Sequence, residues 1–148
     1  MLMQNGLPLS PRTISFPPLT MTMQFKIDTK ENYSILSPEN AILDANLAES
    51  ILEYVQNSIA AQPQNYILQL DAVSEAPIEA LDILRHLHET LYSENCSFVV
   101  TGVQQDLMQA MKNNALHHDI NITPSFQEAA DIINMEILER DIFNEPEA

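Results

Sequence analysis

Four histidines, one cysteine and a single strand-to-helix loop are where this chain could carry chemistry. The histidines fall as His86/His88 and His117/His118. Neither pair has the i,i+4 spacing that sets two imidazoles on one helix face for a metal, and H-E-x-x-H does not occur. His86 and His88 lie about 200° apart around a helix. His117-His118 falls where a helix exits, a place that favours positive charge. We therefore expect no metal site. Cys96 stands alone at the head of an apolar stretch, where a thiol behaves as a small hydrophobe. The nucleophile elbow G-x-S-x-G, the Walker loop and G-x-G-x-x-G do not occur. The glycines are two, Gly6 and Gly102, too few for a backbone cradle around a phosphate. The expectation is a non-enzyme with no catalytic residues and no cofactor.

The remaining candidate is D-A-V-S-E-A-P-I-E-A-L-D-I-L, Asp71 to Leu84. The apolar strand YILQLDAV runs into it and an amphipathic helix follows. A helix start has unpaired N–H groups and favours negative charge, so this geometry suits a presented or switchable group. The loop nevertheless offers one hydroxyl, Ser74, and two carboxylates, Glu75 and Glu79. Ser74 reads as a possible phosphosite or as a cap or turn residue. Glu75 and Glu79 read as a binding feature or as simple support for the helix start.

The elements that must position this loop follow from periodicity. Gln24–Thr29 and Tyr33–Ser37 alternate and read as two strands, hinged at Lys30-Glu31-Asn32 into a hairpin. In ILDANLAESILEYVQNSIAA, Leu47, Ile51, Val55 and Ile59 form one helix face, Asn46 with Glu49 suggests a capping box, and Pro63 ends the helix. Tyr66–Val73 reads as a buried strand. The next helix spans Ala76–Tyr92, with Pro77 in its first turn and Ala80, Leu81, Leu84, Leu87 and Leu91 inward. Ser97–Val103 is a strand, and Gln105–Asn113 a helix with Leu107, Met108 and Met111 inward. Ile120–Thr123 is a strand, and Ser125 with Glu128 opens the last helix. The order β-β-α-β-α-β-α-β-α implies an α/β fold with a mixed β-sheet, a hairpin then alternating α and β, and helices packed on one face.

The chain has 148 residues, enough for one domain with a real core. Lys and Arg number 6 against 21 Asp and Glu, a formal net charge of -15. That surface repels nucleic acid and anionic membranes; it reads either as suited to a basic protein partner or as serving solubility alone. No run is long enough for a membrane span, and no secretory signal of the usual build is found, so a reducing cytoplasmic setting is expected. Residues 1–22 are proline-punctuated and read as a disordered or spurious extension, 23–140 as the domain, and 141–148 as an acidic tail.

Taken in order, ILDANLAESI, YILQLDAV, SENCSFVVTGV and NNALHHDINITPSFQEAADII resemble segments of the STAS domain of anti-sigma-factor antagonists, over Met23 to Arg140. The resemblance implies a binding protein that captures an anti-sigma factor, often a serine kinase. It implies a partner surface formed by Ser74, Glu75, Ala76, Pro77, Ile78 and Glu79, with the turn at Gly102 and Gln104. The family's Asp-Ser-Ser-Gly phosphorylation motif is missing. Its four positions fall on Pro77, Ile78, Glu79 and Ala80, which puts Glu79 where the phosphorylated hydroxyl belongs. The loop is then either a constitutive binder or, through Glu75 and Glu79, a mimic of the phosphorylated state. The alternatives are an adaptor subunit of a membrane transport or sensory complex, and a small ligand-binding domain or enzyme.

Overall fold

Chain order becomes sheet order. The structure, a computed structural model that describes residues 24–144, sets five strands side by side in the sequence in which they occur. They are β1 (Phe25–Thr29), β2 (Ser34–Pro38), β3 (Tyr66–Gln69), β4 (Phe98–Thr101) and β5 (Asn121–Thr123). β1 and β2 form the expected antiparallel hairpin, with Phe25 opposite Pro38 and Thr29 opposite Ser34. Lys30 N–H closes its turn on the Tyr33 carbonyl at 2.8 Å. The other pairs are parallel, and Leu36, Leu68, Val100 and Ile122 share one row across them.

Parallel neighbours need crossovers. These are α1 (Ala45–Ala61), α2 (Ile78–Ser93), and α3 (Gln105–Asn113) with the short α4 (Leu116–Asp119); α5 (Phe126–Asn144) follows the last strand. Every crossover steps the same way along the sheet, so right-handed connections bring α1 to α4 to one face. There Leu47, Ile51 and Val55 of α1, the five inward residues of α2, and Leu107, Met111 and Leu116 close over Leu36, Tyr66, Leu68, Phe98 and Val100. Each fully buried Leu or Ile is worth about 1.5–3 kcal/mol.

The mixed sheet and its strand order agree with the sequence reading; the short extra helix α4 and the place of α5 do not. Strand side chains alternate, so Ile67 and Val99 point to the opposite face. Ala129, Ala130 and Ile133 of α5 cover them there. Among the described residues no strand follows α5, so crossover handedness does not bind it, and it returns to shield the face that would otherwise meet water. A polar network fixes it in place. Tyr92 Oη donates to Glu136 Oε1 at 2.8 Å, and Ser97 Oγ donates to the same oxygen. Arg140 Nη2 donates to Ser97 Oγ at 2.6 Å, and Ser97 N–H donates to Asn65 Oδ1 at 2.7 Å.

Smaller differences are local. The cap of α1 is Asp44, whose Oδ1 accepts from Leu47 N–H at 2.8 Å, rather than Asn46. Pro77 is the cap of α2 and not a member of its first turn. β3 and β4 stop at Gln69 and Thr101, because the chain turns while Leu70 and Val73 still plug the core. Met108 is half-buried, unlike Leu107 and Met111. The start of α5 is as read, with Glu128 N–H donating to Ser125 Oγ at 3.2 Å. α5 continues to Asn144; the readings of residues 1–22 and of the tail from 145 onward lie outside the described residues.

Candidate functional site

The Asp71–Pro77 loop leaves β3 at the carboxyl ends of the parallel strands and leads into α2. It is laced to the rest of the domain rather than hanging free. Leu70 N–H donates to the Thr101 carbonyl at 2.9 Å, and Val73 N–H folds back on the Leu70 carbonyl at 3.0 Å. The buried Val73 side chain pins the turn. The loop then runs parallel to the segment before α1, with Glu75 bridged to Ile42. The Ala41 carbonyl accepts from Ser74 N–H at 2.8 Å and from Glu75 N–H at 3.2 Å, while Leu43 N–H donates to the Glu75 carbonyl at 2.9 Å.

This lacing occupies the one hydroxyl of the loop. Ser74 Oγ donates to the Ala41 carbonyl at 3.2 Å, and the residue is half-buried. Pro77, with φ -68° and ψ 163°, then turns the chain into α2, and its carbonyl accepts from Ala80 and Leu81 N–H. Ile78 and Glu79 occupy the first turn and face outward; Ile78 is 56% exposed.

Of the eight residues expected on the partner surface, six lie along the loop and the first turn of α2, and Gly102 and Gln104 lie apart from them. Ser74, Glu75, Ala76 and Pro77 form one wall of a groove of about 430 Å³. Its other lining is Ile42, 49% exposed, with Leu107, Ala110 and Asp106 from α3. A second depression of about 230 Å³ continues from Ala76 and Ala110 to Ile78 and Leu81. Gly102 and Gln104 do not line either one. They buttress the start of the loop: Gln104 Nε2 donates to the Asp71 carbonyl at 2.9 Å. Gly102 has φ +74°, and a β-carbon there would stand 2.5 Å from Asp71 Oδ1. Only glycine adopts this backbone without strain and leaves room for the carboxylate.

The sequence reading missed Ile42, Leu107 and Ala110 as groove residues. Leu107 and Ala110 carry a helical i,i+3 signal, but nothing local in the sequence joins Ile42 to Glu75, thirty-three residues away.

The groove's walls are aliphatic, and the exposed carboxylates of Glu75 and Asp106 edge it, with Glu79 one turn away on α2. The histidines lie elsewhere. His88 stacks on Tyr92 with ring centres 4.4 Å apart, and burial lowers its pKa. His117 and His118 stack on one another at 3.9 Å. Cys96 is buried, which pushes its thiol pKa up. Among the described residues no three His, Cys, Asp or Glu side chains gather as a metal site, and no helix is long and apolar enough to cross a membrane.

Known proteins extend this geometry. Residues 24–129 match the model of the STAS domain. No curated protein sequence matches the chain. The crystal structure of a proposed anti-sigma factor antagonist from Thermotoga maritima superposes with a TM-score of 0.66 at 14% identity, covering 74% of this chain and 94% of that one. The NMR structure of the same bacterial protein gives 0.68 at 15% identity, covering 84% and 98%. At that identity the likeness is one of fold, and it agrees with the strand order and helix placement described above. With the family model spanning the hairpin, the candidate loop and the start of α5, this chain belongs to the STAS domain family.

Proposed function

We propose that this protein is a non-catalytic, cytoplasmic regulator of the anti-sigma-factor-antagonist kind, acting by protein–protein contact and lacking the usual serine phosphoswitch. The observation that carries the reading is the groove beside Ser74–Pro77: aliphatic, acid-edged and set on the loop for which the sequence resemblance implies a partner surface. An aliphatic groove with exposed Ile42 and Ile78 at its rim suits a partner's apolar side chains, and the carboxylates around it suit a basic surface. The nearest hydroxyl, that of Ser74, is engaged with Ala41, and the position matched to the family's phosphorylated residue is Glu79. The partner class is an anti-sigma factor or a related serine-kinase-type protein, and the process is transcription control.

A tagged pull-down from the native cytoplasm tests this, with mass spectrometry of bait and prey and Ile78→Asp as the control bait. The expected result is a serine-kinase-type or other sigma-regulatory protein on unphosphorylated wild-type bait, lost with Ile78→Asp. Transporter or sensory-complex subunits in its place would replace this reading with that of an adaptor module.

A further inference from the structure

α5 is apolar on two sides. One side, Ala129, Ala130 and Ile133, packs on the sheet. On the other, Met135, Leu138 and Ile142 are 61%, 61% and 62% exposed. Their spacing of three and then four residues is that of a coiled-coil seam. It places them on one line about 10 Å long. This seam lies on the helix that covers the far face of the sheet from α1 to α4, so it is separate from the groove at Ser74–Pro77.

The flanks of the seam choose its occupant. Glu139 and Asp141 are exposed and fall on its two sides, and the exposed Asp131 takes the next seam position toward the N-terminus. The one cation of this helix, Arg140, turns the other way and is spent on Ser97, Asn65 and Glu136. A second copy of this chain would set Glu139 and Asp141 against their own counterparts, on a chain of net charge -15. A helix with an apolar stripe edged by Lys or Arg buries the same three residues and neutralises both flanks. We infer that the outer seam of α5 docks a basic amphipathic helix of a partner protein, independently of the groove.

The test is fluorescence anisotropy with the full chain and two labelled three-heptad peptides. Both carry Leu at the seam positions; one has Lys at the flanking positions and the other Glu. Leu138→Ser and Met135→Ser are surface changes that leave the fold intact, checked by circular dichroism. The Lys peptide is expected to bind, the Glu peptide to fail, and either substitution to weaken the Lys peptide roughly tenfold, the loss typical of an apolar anchor. No binding of the Lys peptide overturns the inference. Binding that Leu138→Ser and Met135→Ser leave unchanged also overturns it, because charge alone then accounts for the attraction. A concentration-dependent dimer of the free chain that Leu138→Ser abolishes overturns it in favour of a second copy.

Discussion

Tyr92 and Glu136 join helices that lie on opposite faces of the sheet: the Tyr92 hydroxyl on α2 donates to the Glu136 carboxylate on α5 across 2.8 Å. Asn121 of β5 donates to the same hydroxyl at 2.8 Å, so the link is anchored on the sheet as well. Burial first, and then this carboxylate, push the Tyr92 pKa from 10 up to about 12. Folding thus favours the neutral phenol. The stability that this contributes is complete below pH 10 and is lost as the pH rises from 10 toward about 12. Glu136→Ala should lower the unfolding free energy by about 1.5–3 kcal/mol, the range for hydrogen bonds to a charged group, read by urea denaturation. In an ultraviolet titration the Tyr92 phenolate of that variant should form at lower pH than in the wild type.

Gly102→Ala should be destabilising by about 1–3 kcal/mol, through its left-handed backbone and its collision with Asp71. The two causes separate in a double-mutant cycle with Asp71→Ala. Removing the carboxylate relieves the collision and leaves the backbone strain, so the two substitutions should be coupled. Strict additivity in denaturation midpoints would mean that Asp71 moves aside without cost.

Ile78→Asp separates binding from folding. Ile78 is mostly exposed, so stability should stay within about 0.5 kcal/mol of wild type. Affinity for a partner seated in the groove should fall at least about tenfold, measured by calorimetry on the complex recovered by pull-down.

His88 predicts a pH response of opposite sense to that of Tyr92. Burial lowers its pKa below 6.5, with Glu136 opposing more weakly. Folding therefore favours the neutral imidazole. This contribution is complete above pH 6.5 and is lost as the pH falls through that value toward the folded pKa. His88→Gln should flatten the stability profile as the pH falls below 6.5, relative to wild type. Parallel profiles for the two proteins would show that the imidazole keeps its ordinary titration.

Asp44→Ala should cost about 1 kcal/mol by loss of the α1 cap, whereas Asn46→Ala should cost little. Thermal unfolding of the two variants distinguishes them directly.

That cap shows where the sequence was legible and where it was not. The inner face of α2 could be read because Ala80, Leu81, Leu84, Leu87 and Leu91 repeat at the helical period, and all five are buried. Asp44 and Asn46 both precede the same apolar face at short spacing, and only the backbone path decides which of them is the cap; it is Asp44, which accepts from Leu47 N–H. α5 hid its placement differently. Apolar residues on two sides blur the stripe that would have told its core face from its exposed one. At the candidate site, the loop and its acids were visible in the sequence. The opposite wall was not, since the bridge from Ile42 to Glu75 is a tertiary contact with no local pattern.

The sheet's agreement with chain order has a consequence for synthesis. Each strand that leaves the ribosome meets a neighbour already in place, and no later segment has to be inserted between earlier ones. Of the described elements α5 is made after the whole sheet, and until it arrives Ile67 and Val99 lack the cover of Ala129, Ala130 and Ile133 on the second face. A nascent chain ending before Phe126 thus holds all five strands with an apolar second face, the kind of surface that invites aggregation until α5 covers it.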